Sequence, residues 1–97
     1  MKKENEFQAD LMEELRSLVG RHNVFKMDGR QGIPDILVLC GDKWAMLECK
    51  KSADAAHQPN QDYHVERLNR MSFSRFIFPE NKEEVLNELC EAFGIDR

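Results

Sequence analysis

The chain opens on a helical pattern. Phe7, Leu11, Leu15 and Leu18 recur at spacings of four, four and three, which places them on one stripe of an α-helix. Gly20 and the polar Arg21-His22-Asn23 end it. Val24 to Met27 reads as a short strand, followed by the turn-rich Asp28-Gly29-Arg30-Gln31-Gly32. Two apolar runs come next, Ile36 to Cys40 and Trp44 to Cys49, separated by Gly41-Asp42-Lys43. Beyond Lys50 a polar loop leads to Pro59, placed as the first residue of a helix, where its missing N–H costs nothing. Gln61, Val65 and Leu68 share one face of that helix, and Phe73 to Phe78 reads as an aromatic-rich strand. A last helix follows, with Asn81 as N-cap, Glu84 three residues on in a capping-box arrangement, and Val85, Leu86, Leu89, Cys90 and Phe93 as its apolar stripe.

The predicted order is α-β-β-β-α-β-α, an α/β chain forming one domain over residues 1–97. The strand, helix, strand succession near its end predicts a parallel crossover onto a mixed central sheet flanked by helices on both faces, with a C-terminal helix beyond.

The two apolar runs fit a β-hairpin whose two-residue turn is Gly41-Asp42, glycine supplying the positive φ such turns need. That turn fixes the register. Cys40 faces Lys43, Leu39 faces Trp44, Leu37 faces Met46, and Asp35 falls opposite Glu48, with Lys50 two residues further on the same face. Both faces of the hairpin are apolar, which predicts a central position covered on each side. Its open end then holds two carboxylates with Cβ atoms about 5 Å apart. Like charges so close repel unless a cation or a shifted pKa relieves them, and a divalent metal does this well: Mg²⁺ is typically held by one or two carboxylates with waters and phosphate oxygens. The plainer alternative is that Glu48 and Lys50 are an ordinary pair and Asp35 a turn residue, a reading that a change of turn length by one residue would favour.

Composition narrows the classes. Of 97 residues, 41% are apolar and 33% charged, the balance of a globular protein. No apolar run approaches the roughly 20 residues that span a bilayer, and Met1-Lys2-Lys3-Glu4-Asn5-Glu6-Phe7 lacks the apolar segment of a signal peptide, so no membrane and a cytoplasmic location are expected. Cys40, Cys49 and Cys90 lack metal-site spacing and read as small buried hydrophobes. A net charge of −4 argues against a large basic surface, yet not against an enzyme that cuts nucleic acid.

At this point the residues resemble a family. Gly32-Ile33-Pro34-Asp35, thirteen positions to Glu48, then Glu48-Cys49-Lys50 is similar to the PD-(D/E)XK nuclease signature. Gln61 with Val65 and Leu68 on the following helix, then a strand, resembles more narrowly the VRR-NUC branch. The resemblance runs from about Glu4 to Phe78 and implies a restriction-endonuclease-like αβββαβ core. It further implies a Mg²⁺- or Mn²⁺-dependent endonuclease hydrolysing DNA phosphodiester bonds, and leaves open whether it selects branched or junction DNA, a flap, a nicked duplex or ordinary duplex; the limited surface of so small a chain predicts a homodimer presenting two sites. Asp35 and Glu48 would bind the metal, with Glu4 completing the site and the Cys49 backbone carbonyl a further ligand. Lys50 would orient water or stabilise developing charge, and Gln61 would position Lys50, water or the nucleic-acid backbone. The resemblance asks for an acid on the first helix; between Glu4 and Glu6, spacing favours Glu4, which lies on the face of Phe7 and Leu11. Glu13 and Glu14 read as solvated.

Arg30, Lys51, Arg67, Arg70 and Arg75 flank the site or its helix and are candidate phosphate contacts. His22, His57 and His64 read as ordinary surface or loop residues, and Trp44, Phe73, Phe76 and Phe78 as core. The competing reading is a non-catalytic nucleic-acid-binding or assembly module that keeps the fold.

Overall fold

The computed structural model describes residues 3–28 and 31–97, so Arg30 lies outside the described residues. The elements are α1 (Glu4–Val19), a 3₁₀ turn (Arg21–Asn23), β1 (Val24–Lys26), β2 (Ile36–Cys40), β3 (Lys43–Cys49), α2 (Gln61–Met71), β4 (Phe73–Ile77) and α3 (Lys82–Phe93). The strands form one sheet in the order β1-β2-β3-β4. β1, β2 and β3 are antiparallel neighbours, and β4 joins β3 in parallel across the α2 crossover. The fold is α/β with a mixed four-stranded sheet, as the order of elements predicts.

Alternation along the strands sorts the two faces. Ile36, Val38, Ala45, Leu47, Cys49, Phe73 and Ile77 point to the side where α1 brings Phe7, Leu11 and Leu15 and α3 brings Val85, Leu86, Leu89 and Phe93. Leu15, Ile36, Leu47, Leu86 and Leu89 are fully removed from solvent, at about 1.5–3 kcal/mol each by transfer from water. The opposite face is covered by α2 through Val65 and Leu68, over β3 and β4. Helices therefore lie on both faces, but the hairpin is less covered than its sequence predicts. α2 spans only half the sheet, so Leu37, Leu39 and Trp44 stay half-buried and Phe25 is 43% exposed.

Several local expectations are corrected. Met12 is buried on α1 while Leu18 is only half-buried, which rotates the stripe slightly toward β1. β1 ends at Lys26 and β4 at Ile77, each a residue early. Pro59 is not helical: Asn60 takes the left-handed conformation at φ 71°, so the chain turns there and α2 begins at Gln61. Asn81 does not cap α3 with its side chain. Its Oδ1 accepts from the Phe78 N–H at 2.8 Å and its Nδ2 donates to the Phe76 carbonyl at 3.0 Å, so both ends of the amide are spent on the exit of β4 and the capping box is not made.

Cys49 and Cys90 are buried and Cys40 half-buried, all three as free thiols. Among the described residues no helix is long and apolar enough to cross a membrane.

Candidate active site

The site is set by a turn. Gly41 has φ 62°, and among the described residues Asn60 is the only non-glycine at positive φ, so Asp42 is not; this is the sign pattern of a type II′ turn. The resulting register runs from Cys40↔Lys43 to Ile36↔Leu47. One step further, Asp35 stands opposite Glu48. Asp35 lies just outside β2, yet it continues the ladder on both sides. Its carbonyl accepts from the Met27 N–H at 2.7 Å, and its side-chain Oδ2 accepts from the Cys49 N–H at 3.0 Å.

The loop before Asp35 is held in place by close packing. Gly32 adopts φ +88° and is buried; a Cβ there would come within 2.9 Å of His64 Cδ2 and 3.2 Å of Asn60 Cβ. Both a positive φ and a close approach to α2 thus require glycine. Pro34 is fully buried beside it and restricts the approach to Asp35.

Beside Ser74, whose buried hydroxyl has no partner among the described residues, three polar side chains are buried on the α2 face: Glu48 at 4% exposure, Lys50 at 5% and Gln61 at 9%. Such groups cost several kcal/mol each unless partnered. They partner one another. Lys50 Nζ donates to Gln61 Oε1 at 2.7 Å and to the Ala56 carbonyl at 3.1 Å, and Gln61 Nε2 donates to Glu48 Oε2 at 3.0 Å. The Gln58 N–H also donates to Gln61 Oε1, at 2.8 Å. The amide has one orientation only, because a flip would set its NH₂ against an ammonium and an amide N–H. Two N–H groups of Lys50 are committed in this way. Gln61 can do this because α2 starts at that residue, directly over the end of β3.

Electrostatics follow from burial. The Glu48 carboxyl is pushed up to about 8, first by removal from water, then by the adjacent Asp35 charge and a hydrogen bond to it; Lys50 opposes the shift and Glu4 adds to it. The Cys49 thiol is pushed far up by its burial in the α1 side of the core and by Asp35, Glu48 and Glu4. That thiol is no ligand for this site, so only the Cys49 backbone carbonyl is available for the role expected of this residue. Glu4 is exposed on the first turn of α1, and its charge is felt at both Glu48 and Cys49.

The donor set fits a hard divalent cation. Among the described residues no three of the usual metal-binding side chains form a ready coordination shell; Asp35 and Glu48 are a pair. A pair of oxygen donors, one desolvated and mutually repelling with the other, suits an ion that keeps several waters and takes phosphate oxygens as ligands.

The remaining candidates divide. Lys51 and Arg70 are exposed, and Arg67 is half-buried with Nη1 3.7 Å from Met71 Sδ. Arg75 is occupied elsewhere: its guanidinium lies 4.2 Å from the Phe73 ring centre, and its Nε donates to Glu88 Oε1 of α3 at 3.3 Å. It shares the face of Leu47, opposite Lys50, because it is the register partner of Leu47 on the parallel strand, so it is withdrawn as a phosphate contact. Glu14 is engaged by Lys82 Nζ at 2.9 Å, which joins α1 to α3. His57 is an exposed loop residue, as its sequence context suggests, but with specific partners. Its Nδ1 is 2.7 Å from Asp62 Oδ1 and its ring stacks on Phe76, a pairing that neither residue's spacing reveals.

Compared with known proteins, the chain matches no family model, no curated protein and no solved structure.

Proposed function

We propose that the chain is a Mg²⁺- or Mn²⁺-dependent endodeoxyribonuclease of the VRR-NUC type, built on a restriction-endonuclease-like core. The observation that carries this reading is the buried chain of Glu48, Gln61 and Lys50 set beside Asp35 at the open end of one hairpin. A fold without chemistry gains nothing from two facing carboxylates, one of them 4% exposed. An ion held by Asp35 and Glu48, with the Cys49 carbonyl and Glu4 as supporting donors, would supply Lewis-acid polarisation of the scissile phosphate and a more acidic nucleophilic water.

The chain's own groups would do the rest. Lys50, fixed by Gln61 and Ala56, keeps one N–H for a non-bridging phosphate oxygen or the attacking water, where negative charge grows in the transition state. Gln61 is a positioning residue: it orients Lys50 and Glu48 at once and spares both the cost of reorganising during reaction. Lys51 and Arg70 are free to meet flanking phosphates. The working form is proposed to be a cytoplasmic homodimer acting on branched or junction DNA.

The test is a cleavage panel of duplex, nicked, flap and four-way junction DNA, with Mg²⁺, with Mn²⁺ and with chelator, for the wild type and Asp35→Asn. Asparagine keeps an acceptor for the Cys49 N–H and removes the charge. The expected outcome is metal-dependent cutting that falls about 100-fold or more in the variant. A wild-type protein that binds DNA but cuts none of these forms with either metal would instead be a non-catalytic module.

A further inference from the structure

We propose that His57 and Phe76 form a stacking platform that receives an unpaired nucleobase next to the candidate site. This rests on the nuclease reading and extends it to a second subsite. The two rings are parallel within 18° with centroids 4.0 Å apart. His57 Nδ1 is fixed by Asp62 Oδ1 at 2.7 Å, so the imidazole is locked in orientation by a carboxylate on one edge and an aromatic ring on one face.

The platform is keyed to the reacting groups through neighbouring backbone. The residue before His57 gives its carbonyl to Lys50 Nζ, and the residue after it gives its N–H to Gln61 Oε1. Phe76 is the register partner of Glu48 on the parallel strand, so the two side chains leave the same face of the sheet about 5 Å apart. His57 therefore sits above Phe76, one strand over from the carboxylate pair.

The imidazole remains 34% exposed although one face and one edge are covered. The contacts to Phe76 and to Asp62 leave the opposite face and the Nε2 edge of the ring without either partner. A flat, rigid, outward-facing ring beside a phosphate-handling lysine has the form of a base-stacking surface, and stacking is tolerant of base identity because every base offers a π-face. A base inside a duplex has both faces occupied by its neighbours. The platform is thus selective for an unpaired nucleotide beside the cut, as at a flap, gap or branch point. Asp62 would act as a positioning residue for the ring.

The experiment uses DNA with 2-aminopurine placed either at an unpaired position adjoining a flap or branch point or at the matching position of a continuous duplex, bound to the full-length protein in Ca²⁺ buffer. The expected result is a change of emission on binding for the unpaired probe and none for the paired one. His57→Ala should weaken binding of the unpaired substrate by roughly 5- to 100-fold, more than that of the duplex, while His57→Phe, which preserves a flat ring on Phe76, should retain the emission change. Equal losses on both DNA forms would make His57 an anchor of the loop and overturn the platform. Loss of the emission change in His57→Phe would also overturn it, assigning the contact to the imidazole nitrogens. DNA that is bound in Ca²⁺ without any change of emission, and cut once Mg²⁺ replaces it, overturns the platform alone, whereas no DNA binding at all removes both the platform and the nuclease reading.

Discussion

At Glu48 a single carboxyl couples folding to pH. Its value of about 8 in the folded chain lies above the ordinary 4.5, so the native state holds a proton there that the unfolded chain gives up. The sign follows directly: native proton uptake exceeds unfolded uptake between these values, and stability falls as pH rises. The contribution is complete below the unfolded value and is lost as pH climbs through the folded one. Metal-free protein should therefore lose stability across this window, at up to about 1.4 kcal/mol per pH unit. Glu48→Gln, neutral and of the same shape, should give a flatter profile in urea denaturation followed as a function of pH. Parallel profiles for the two proteins would mean that Glu48 is ionised in the fold throughout. Divalent metal should bind more tightly as pH rises over the same interval, because a protonated Glu48 must release its proton to become a donor.

Among the elements, the loop from Gln31 to Asp35 carries the tightest constraint. Gly32 must hold φ +88° and leave room for His64 Cδ2, and three residues later the chain has to deliver Asp35 opposite Glu48. Gly32→Ala should cost about 1–3 kcal/mol from the backbone conformation alone, with the contact to His64 added. The variant should also lower metal-dependent cleavage, since a loop displaced from α2 moves Asp35. Combining it with His64→Ala separates the two causes: the steric part should be recovered and the conformational part should remain. A double variant as stable as wild type would show that φ at this position carries no strain. α2 has an equally particular task. Beginning at Gln61, two residues after Pro59, it sets the amide over β3 within reach of both Glu48 and Lys50.

For the whole molecule, size bears on how the proposed nuclease would meet its substrate. The principal extents are 32 × 30 × 24 Å, close to one helical turn of B-form DNA at roughly 34 Å. On the proposed reading, one chain with one site would address one strand over about that length, and cutting both strands would call for two copies. Light scattering is expected to give a mass near twice the 11.4 kDa of the chain at micromolar concentration. A mass of one chain, unchanged on adding DNA and Mg²⁺, would count against the homodimer.

The order of elements, the hairpin register and the convergence of Asp35, Glu48 and Lys50 were legible in the sequence, because they depend on short-range rules. A period of two fixes which face each strand residue takes, and Gly41 at a two-residue turn fixes what lies opposite what. The parallel β3–β4 pairing was legible too, since a strand, helix, strand succession has few ways to close. Other features were decided only by which partners a side chain meets once the elements are packed together. Asn81 looks like a cap until the end of β4 competes for its amide. Arg75 looks free until α3 brings Glu88 to it, and His57, a loop residue as expected, gains Asp62 and Phe76 as partners only in the fold. Periodicity reports which side of an element is buried; it carries no information on which partner arrives there. By itself the sequence determined a carboxylate pair at the end of a hairpin. The tertiary structure decided that Glu48, Lys50 and Gln61 are buried together, and burial is what gives their charges and hydrogen bonds their strength.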